Sequence, residues 1–229
     1  SLKAGKHVRV EIPVSPTLPD AEAVAAAAQA SGRRVQVAHT QRYDPALQEL
    51  RRRIAGSELH PHHVVCRWFF LRRDNVNWKG RRRTWTDNLL WHHACHVVDA
   101  TLWLLGGGEG TEVRAQFGPP HPELGIPLDL DLQFRSGERL MTIAMSYNSP
   151  WPRHDYFVIG EEAGVEFREG KLWGNEGVVF SPEGPNRSIL EQDLEWIRAI
   201  RDRREPAVNV PAVLPAMRVL QAAQDQLAG

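Results

Sequence analysis

The sequence predicts a two-part fold of α/β and α+β type, a fragment of parallel sheet followed by an open, mostly antiparallel sheet with helices on one face. Three observations predict it. A strand, helix, strand rhythm fills the first forty residues, strands of alternating polarity run through residues 113–173, and amphipathic helical segments flank that run on both sides. With 42% hydrophobic side chains among 229 residues, the chain can bury a sizeable core.

Residues 1–6 read as the end of a helix closed by Gly5. His7 to Ile12 alternates and is β-branched, Pro16 to Ser31 is helical and stops at Gly32, and Arg34 to Ala38 is a short apolar strand. Asp44 as N-cap and Pro45 at the first helical position open a helix through Ile54 that ends near Gly56. A strand over His63 to Arg72 leads through an arginine- and tryptophan-rich connection into a histidine-bearing helix that stops at Gly106. Val113 to Phe117 is the next strand. Leu128, Leu130, Leu132 and Phe134 then alternate with Asp129, Asp131 and Gln133, a strand with one wet face. Ser136-Gly137 turns into Arg139 to Tyr147, and Asp155 to Ile159, Gly164 to Arg168 and Lys171 to Trp173 continue the meander. Two helices finish the chain, one carrying Leu190, Leu194, Ile197 and Ile200, the other spanning Val213 to Leu227.

Composition narrows the function. Lysine plus arginine and aspartate plus glutamate number 28 each, so no overall field gathers nucleic acid or an anionic membrane. No segment has the length and apolarity of a membrane span, and no signal-peptide pattern opens the chain. Two cysteines, Cys66 and Cys95, give no disulfide framework; both are expected reduced, and the compartment cytoplasmic.

The chemistry concentrates in the stretch from Trp85 to Asp99, which holds His92, His93, His96 and Asp99. On a helix His92, His96 and Asp99 share one face. Histidine titrates near neutral pH, and a neighbouring carboxylate can hold its ring, so the pattern points to proton transfer. The plainer reading is a polar helix face with one buried histidine. A zinc site is the weaker rival, because Cys95 points elsewhere on the wheel and no glutamate follows the first histidine. Arg72, Arg73 and Arg81 to Arg83 lie among tryptophans and phenylalanines. That mixture suits stacking on single-stranded nucleic acid, a solvated loop, or bidentate clamping of a carboxylated small molecule, for which Arg72 and Arg73 are the candidates.

Two spaced signatures, Gly5-Lys6-His7-Val8-x-Val10-Glu11-x-Pro13 and His96-x-x-Asp99-x-x-x-x-Leu104-x-Gly106, resemble the Gfo/Idh/MocA family of nicotinamide-dependent oxidoreductases. Arg42-Tyr43-Asp44-Pro45 and the helix end Arg198-Ala199-Ile200-x-x-x-x-Glu205-Pro206 are similar to the family as well. The resemblance implies that residues 1–40 are the C-terminal remnant of a Rossmann domain. Residues 41–229 would then be the substrate-binding and oligomerisation domain, with the last helix, 213–227, packing back on the Rossmann part. It implies NADP or NAD as cofactor, with Glu11, Ile12 and Pro13 beside it. It further implies His96, His92 and Asp99 at the catalytic centre, Arg42, Arg72, Arg73 and His93 toward substrate, and a homodimer formed through the C-terminal sheet. No metal is implied.

Within the family the likeness is strongest to a branch that oxidises the cyclic hemiacetal of a dicarboxylate semialdehyde to a lactone, a step of aromatic-compound degradation. It rests on Phe69-Phe70-x-Arg72-Arg73-x-Asn75-x-Asn77 and Trp85-Thr86-Asp87-x-Leu89-Leu90-Trp91-His92-His93-Ala94-x-His96. Sugar or inositol oxidation, and a non-catalytic oligomerisation module, are the alternatives. Where the family usually carries Glu-Lys-Pro this chain has Glu11-Ile12-Pro13, and His92 stands where the family places aspartate. Acid/base work therefore shifts to the histidines. Gly106-Gly107-Gly108-Glu109-Gly110 follows a helix, so it is no dinucleotide loop. The phosphate-binding turn of a Rossmann domain, roughly its first half, is expected upstream of Ser1.

Overall fold

The computed structural model describes residues 1–74, 76, 79–81 and 88–227. Strands β1 (Val8–Val10) and β2 (Val35–Val37) pair in parallel, Val8 opposite Val35 and Val10 opposite Val37, and are joined by helix α1 (Leu18–Ser31). The helix starts two residues later than the sequence pattern suggests, because Thr17 is its cap. The Thr17 hydroxyl oxygen accepts from the Asp20 backbone N–H at 3.3 Å, and Gly32, at φ 60°, ends the helix in the left-handed region that glycine tolerates. Helix α2 (Pro45–Ala55) begins as its residues predict, with the Asp44 carboxylate accepting from the N–H groups of Ala46 and Leu47 at 2.9 and 3.2 Å.

The second part is an eight-stranded sheet made of β3 (Pro61–Leu71), β4 (Thr111–Phe117), β5 (Asp129–Ser136), β6 (Arg139–Ser146), β7 (Asn148–Gly160), β8 (Gly164–Arg168), β9 (Lys171–Gly174) and β10 (Gly177–Phe180). Its order is β10-β9-β8-β7-β3-β6-β5-β4. Only β3 and β6 run parallel, and the remaining pairs are antiparallel. Helix α3 (Cys95–Leu104) comes between β3 and β4 in the chain, and α4 (Ser188–Arg201) and α5 (Val210–Leu227) follow β10.

The alternation in β5 separates two faces: Leu130, Leu132 and Phe134 are buried while Asp131 and Gln133 are exposed. The buried side shares one core with Leu47 and Leu50 of α2, Val97 and Val98 of α3, and Val219 and Leu220 of α5. The other side carries Phe157 and Ile159, both exposed, beside an ionic cluster of Arg67, Arg153, Asp155 and Glu166. Helix α5 lies against α1 and β2 on one flank and α3 and β4 on the other, so it ties the parallel pair to the large sheet.

Further departures from the sequence expectation lie in the second part. β7 begins at Asn148 instead of Asp155, although Pro150 and Pro152 lie in its first half. Its pairing with β3 slips between Phe69 and Leu71, and this irregularity lets the prolines sit where no ladder N–H is needed. β10 went unpredicted because Val178 and Val179 are both half-exposed on an edge strand and show no alternation. α5 begins at Val210 instead of Val213, with the Asn209 side chain accepting from the Ala212 N–H at 2.9 Å and Pro211 in the first turn, where its missing N–H costs little. No described helix is long and apolar enough to cross a membrane.

Candidate active site

In open parallel sheets ligands collect beyond the carboxyl ends of the strands. The two ends of the parallel pair lie side by side here, the Ala38 N–H donating to the Val10 carbonyl at 3.0 Å. Glu11, Ile12 and Pro13 leave β1 at that point, Glu11 exposed and Ile12 packed on the edge of the core. His39 leaves β2 at the same level. It opens a single 3-10 turn, Thr40–Tyr43, that fixes Arg42.

The histidine segment enters from the other side as a π turn, Leu90–Ala94, continuous with α3. Such wide turns often mark functional positions in helices. The Asn88 side chain accepts from the Trp91 N–H at 2.8 Å, and the Trp91 indole N–H donates to Gln224 of α5 at 3.0 Å, so the start of the turn is held.

His92, His93 and His96 come together. The rings of His92 and His93 lie 4.2 Å apart, and His93 Nδ1 meets the Tyr147 hydroxyl at 2.5 Å. His96 packs against Trp68 at 5.7 Å and edge-on to His39 at 6.1 Å. Its Nδ1 is enclosed without a hydrogen-bond partner among the described residues, while part of the ring stays open to the surface. Burial, followed by the neighbouring His39 and His92, pushes its pKa down to about 3, so the ring is neutral at pH 7. His154 stacks on Trp68 at 4.3 Å, and burial lowers its pKa to about 4.

Asp99 does not orient His96, as the helix spacing suggested. It accepts from Arg42 Nε at 2.8 Å and Arg42 Nη2 at 2.5 Å, and Arg42 Nη2 also reaches the Ala212 carbonyl at 3.0 Å. Arg42 is correspondingly drawn away from the substrate-clamp role expected from the sequence: its side chain is almost entirely covered, and its Nε and Nη2 are spent on Asp99 and the Ala212 carbonyl. Arg72 and Arg73 stand at the rim. Arg72 lies over the Tyr147 ring at 5.3 Å, and Arg73 donates to the Tyr147 carbonyl at 2.9 Å. Of the remaining basic and aromatic residues of that connection, Trp78, Arg82, Arg83 and Trp85 lie outside the described residues.

An open cleft of about 1040 Å³ adjoins the cluster, sharing Trp68, His154 and Gln41 with it. Neither His92 nor His96 lines the cleft itself, so the Trp68–His154 pair forms the wall between them. Among the described residues no group of three histidine, cysteine, aspartate or glutamate side chains is placed to hold a metal ion.

Tyr147 and His154 escape the sequence reading, which places Trp68 only in a stacking surface beside the arginines and takes His39 for a core or loop histidine. Trp68 of β3 lies far in the chain from Tyr147, between β6 and β7, and from His154 of β7, and only the pairing of β3 with β6 and β7 gathers them. His39 carried a usable signal, since it follows a parallel strand directly.

Residues 45–173 match the family described as bacterial oxidoreductases, C-terminal. Over 231 residues the sequence is 38% identical to 4-carboxy-2-hydroxymuconate-6-semialdehyde dehydrogenase of Sphingobium sp., covering 99% of this chain and 73% of that protein. Two crystal structures share the fold. An oxidoreductase from Agrobacterium radiobacter in complex with NAD+, L-tartaric acid and magnesium superposes with a TM-score of 0.83 at 13% identity, over 100% of this chain and 72% of that one. Aldose-aldose oxidoreductase from Caulobacter crescentus, complexed with glycerol, gives 0.81 at 20% identity, over 98% and 72%.

Proposed function

The chain belongs to the Gfo/Idh/MocA family of bacterial oxidoreductases, and on that premise we propose that it serves a nicotinamide-dependent dehydrogenase acting on the CH–OH of a cyclic hemiacetal that bears carboxylates. The substrate is the hemiacetal form of 4-carboxy-2-hydroxymuconate-6-semialdehyde, the product 2-pyrone-4,6-dicarboxylate, and the setting the breakdown of aromatic compounds. The observation that carries this reading is His96, a neutral imidazole with an enclosed, unpartnered nitrogen, beside the carboxyl ends of a parallel strand pair.

Glu11, Ile12 and Pro13 at the strand ends and the histidine segment would hold the nicotinamide of NAD or NADP, which when bound would supply the hydride acceptor. His96 takes the proton of the anomeric hydroxyl as that carbon gives up its hydride, which leaves the lactone carbonyl. A positioned base of this kind is worth ~100-fold to ~10,000-fold. His92 hydrogen-bonds the same oxygen. Trp68 and Phe70 flank His93 in T-shaped contacts, ring centres 5.1 and 5.0 Å away, and exclude water from that side. Arg72 and Arg73, planar and permanently charged, bind the ring carboxylates at the rim. Ile12 offers no proton, so the histidines carry the acid/base work alone. The functional unit is a homodimer closed through the open face of the sheet.

The test follows the appearance of reduced nicotinamide with NADP and NAD and the 4,5-ring-cleavage product of protocatechuate. The protein carries these 229 residues behind a dinucleotide-binding segment of the Sphingobium relative's kind. Turnover of that product with rejection of inositol and neutral sugars is expected. Turnover of a neutral polyol in its place would overturn the substrate, and silence with both would overturn the dehydrogenase reading.

A further inference from the structure

His39 is buried, lies outside every role described above, and touches both ends of the cluster. Its ring meets His96 edge-on at 6.1 Å, and its Nδ1 lies 3.2 Å from Asp99 Oδ2. That separation is within ion-pair range, yet the angle makes no hydrogen bond, so Nδ1 is enclosed without a partner, like Nδ1 of His96. Two unpartnered imidazole nitrogens in one enclosed cluster are costly unless they act together.

The backbone holds His39 where it is. Its N–H donates to the Val37 carbonyl at 2.9 Å and its carbonyl accepts from the Arg42 N–H at 3.1 Å. One short turn therefore presents His39 and Arg42 to the same carboxylate. Arg42, Asp99, His39 and His96 are therefore successive neighbours, with Arg42 hydrogen-bonded to Asp99, His39 Nδ1 3.2 Å from that carboxylate and the His39 ring edge-on to His96.

A base at the position of His96 becomes an imidazolium in an apolar setting, beside Trp68. Asp99 cannot steady it directly, being committed to Arg42. The groups facing the pair are Asp99 from α3, Arg42 from the 3-10 turn, His92 from the π turn and His154 from β7. Of these, only Asp99 is an anion, and it lies against His39. Resting on the general-base reading of His96, we propose that His39 is a positioning residue whose buried ring, set beside Asp99, holds the His96 ring edge-on in the orientation that receives the substrate proton. The proton leaves the substrate hydroxyl for His96, which becomes the imidazolium that the edge-on His39 ring, backed by Asp99, holds in place. The hydride goes to the oxidised nicotinamide, and His96 gives its proton to solvent as it returns to its neutral form, so charge and atoms balance.

Two measurements test this. In the unmodified chain at pH 7, nitrogen-detected imidazole NMR reads which nitrogen of each histidine carries hydrogen. The inference expects the His39 hydrogen on Nδ1, toward Asp99; hydrogen on Nε2 would overturn it. In the dehydrogenase assay, His39→Asn is expected to lower kcat about tenfold to hundredfold with KM within about twofold, and to displace the acid limb of the kcat profile. An unchanged kcat and acid limb in His39→Asn, while His96→Asn remains crippled, would overturn the role of His39 alone. Full activity in His96→Asn would instead overturn the general-base reading beneath it.

Discussion

Asp99 is gripped by Arg42 through two hydrogen bonds of 2.8 and 2.5 Å, deep enough that both side chains are almost entirely covered. This pair joins α3 to the turn after β2, and so sets the spacing between the histidine segment and the parallel strands. Its removal is expected to harm stability before chemistry. Arg42→Ala strands a buried carboxylate and is expected to cost about 3–5 kcal/mol, read as a lower midpoint in urea; a loss under about 1 kcal/mol would mean the carboxylate finds water.

The buried histidines make the fold acid-sensitive. His96 titrates at about 3, and His39 and His154 at about 4, all below the ordinary value of 6.5, mainly through burial. With lowered native pKa values, the unfolded chain binds more protons, so stability is complete above about pH 6.5 and falls as the pH drops toward 4. Three such groups give a slope of up to about 4 kcal/mol per pH unit near pH 5. Guanidinium unfolding at pH 7, 6 and 5 measures it, and a flat profile would show that the rings stay solvated.

Tyr147 anchors the rim. Its hydroxyl meets His93 Nδ1 at 2.5 Å, and its ring lies under Arg72 at 5.3 Å. Tyr147→Phe keeps the ring and removes the hydroxyl, so it is expected to cost about 1–3 kcal/mol of stability. In the dehydrogenase assay it is expected to raise KM more than it lowers kcat, because Arg72 and His93 lose alignment while His96 keeps its own neighbours. Equal losses in kcat and kcat/KM would place Tyr147 at the reacting atoms instead.

Both thiols are shielded. Cys66 and Cys95 are free and buried, and burial raises each well above the ordinary thiol range. Ellman's reagent at pH 8 is therefore expected to modify neither cysteine in native buffer and both after denaturation. Rapid native labelling of either would show that α3 or β3 opens readily.

The residues that announced themselves in the sequence did so through local rules. Asp44-Pro45 capped α2, Gly32 closed α1, and the alternation of β5 separated its faces, because caps and period-two burial depend only on near neighbours. The clustered histidines were legible for the same reason. What was hidden depends on distant pairing. Residues 42 and 99 are 57 positions apart, so the helix wheel offered Asp99 to His96 while the fold gave it to Arg42. The π turn at Leu90–Ala94 likewise set His92 against His93, a contact that regular helical spacing does not foresee.

The proposed homodimer has its own test. The open face of the large sheet keeps Phe157 at 38% and Ile159 at 37% exposure, on the strand adjoining central β3. Buried apolar area is worth roughly 25 cal/mol per Å², so covering these side chains in a second copy would favour association. The nearby Asp155 is already satisfied by Arg67 at 2.8 Å and also pairs with Arg153, which removes the cost of burying a lone carboxylate there. Sedimentation velocity is expected to show a dimer, and Ile159→Glu to shift it toward monomer by placing an unpaired carboxylate in the interface. A monomer at every concentration for the unmodified chain would remove the sheet face as a contact surface. A dimer untouched by Ile159→Glu would move the interface to another face.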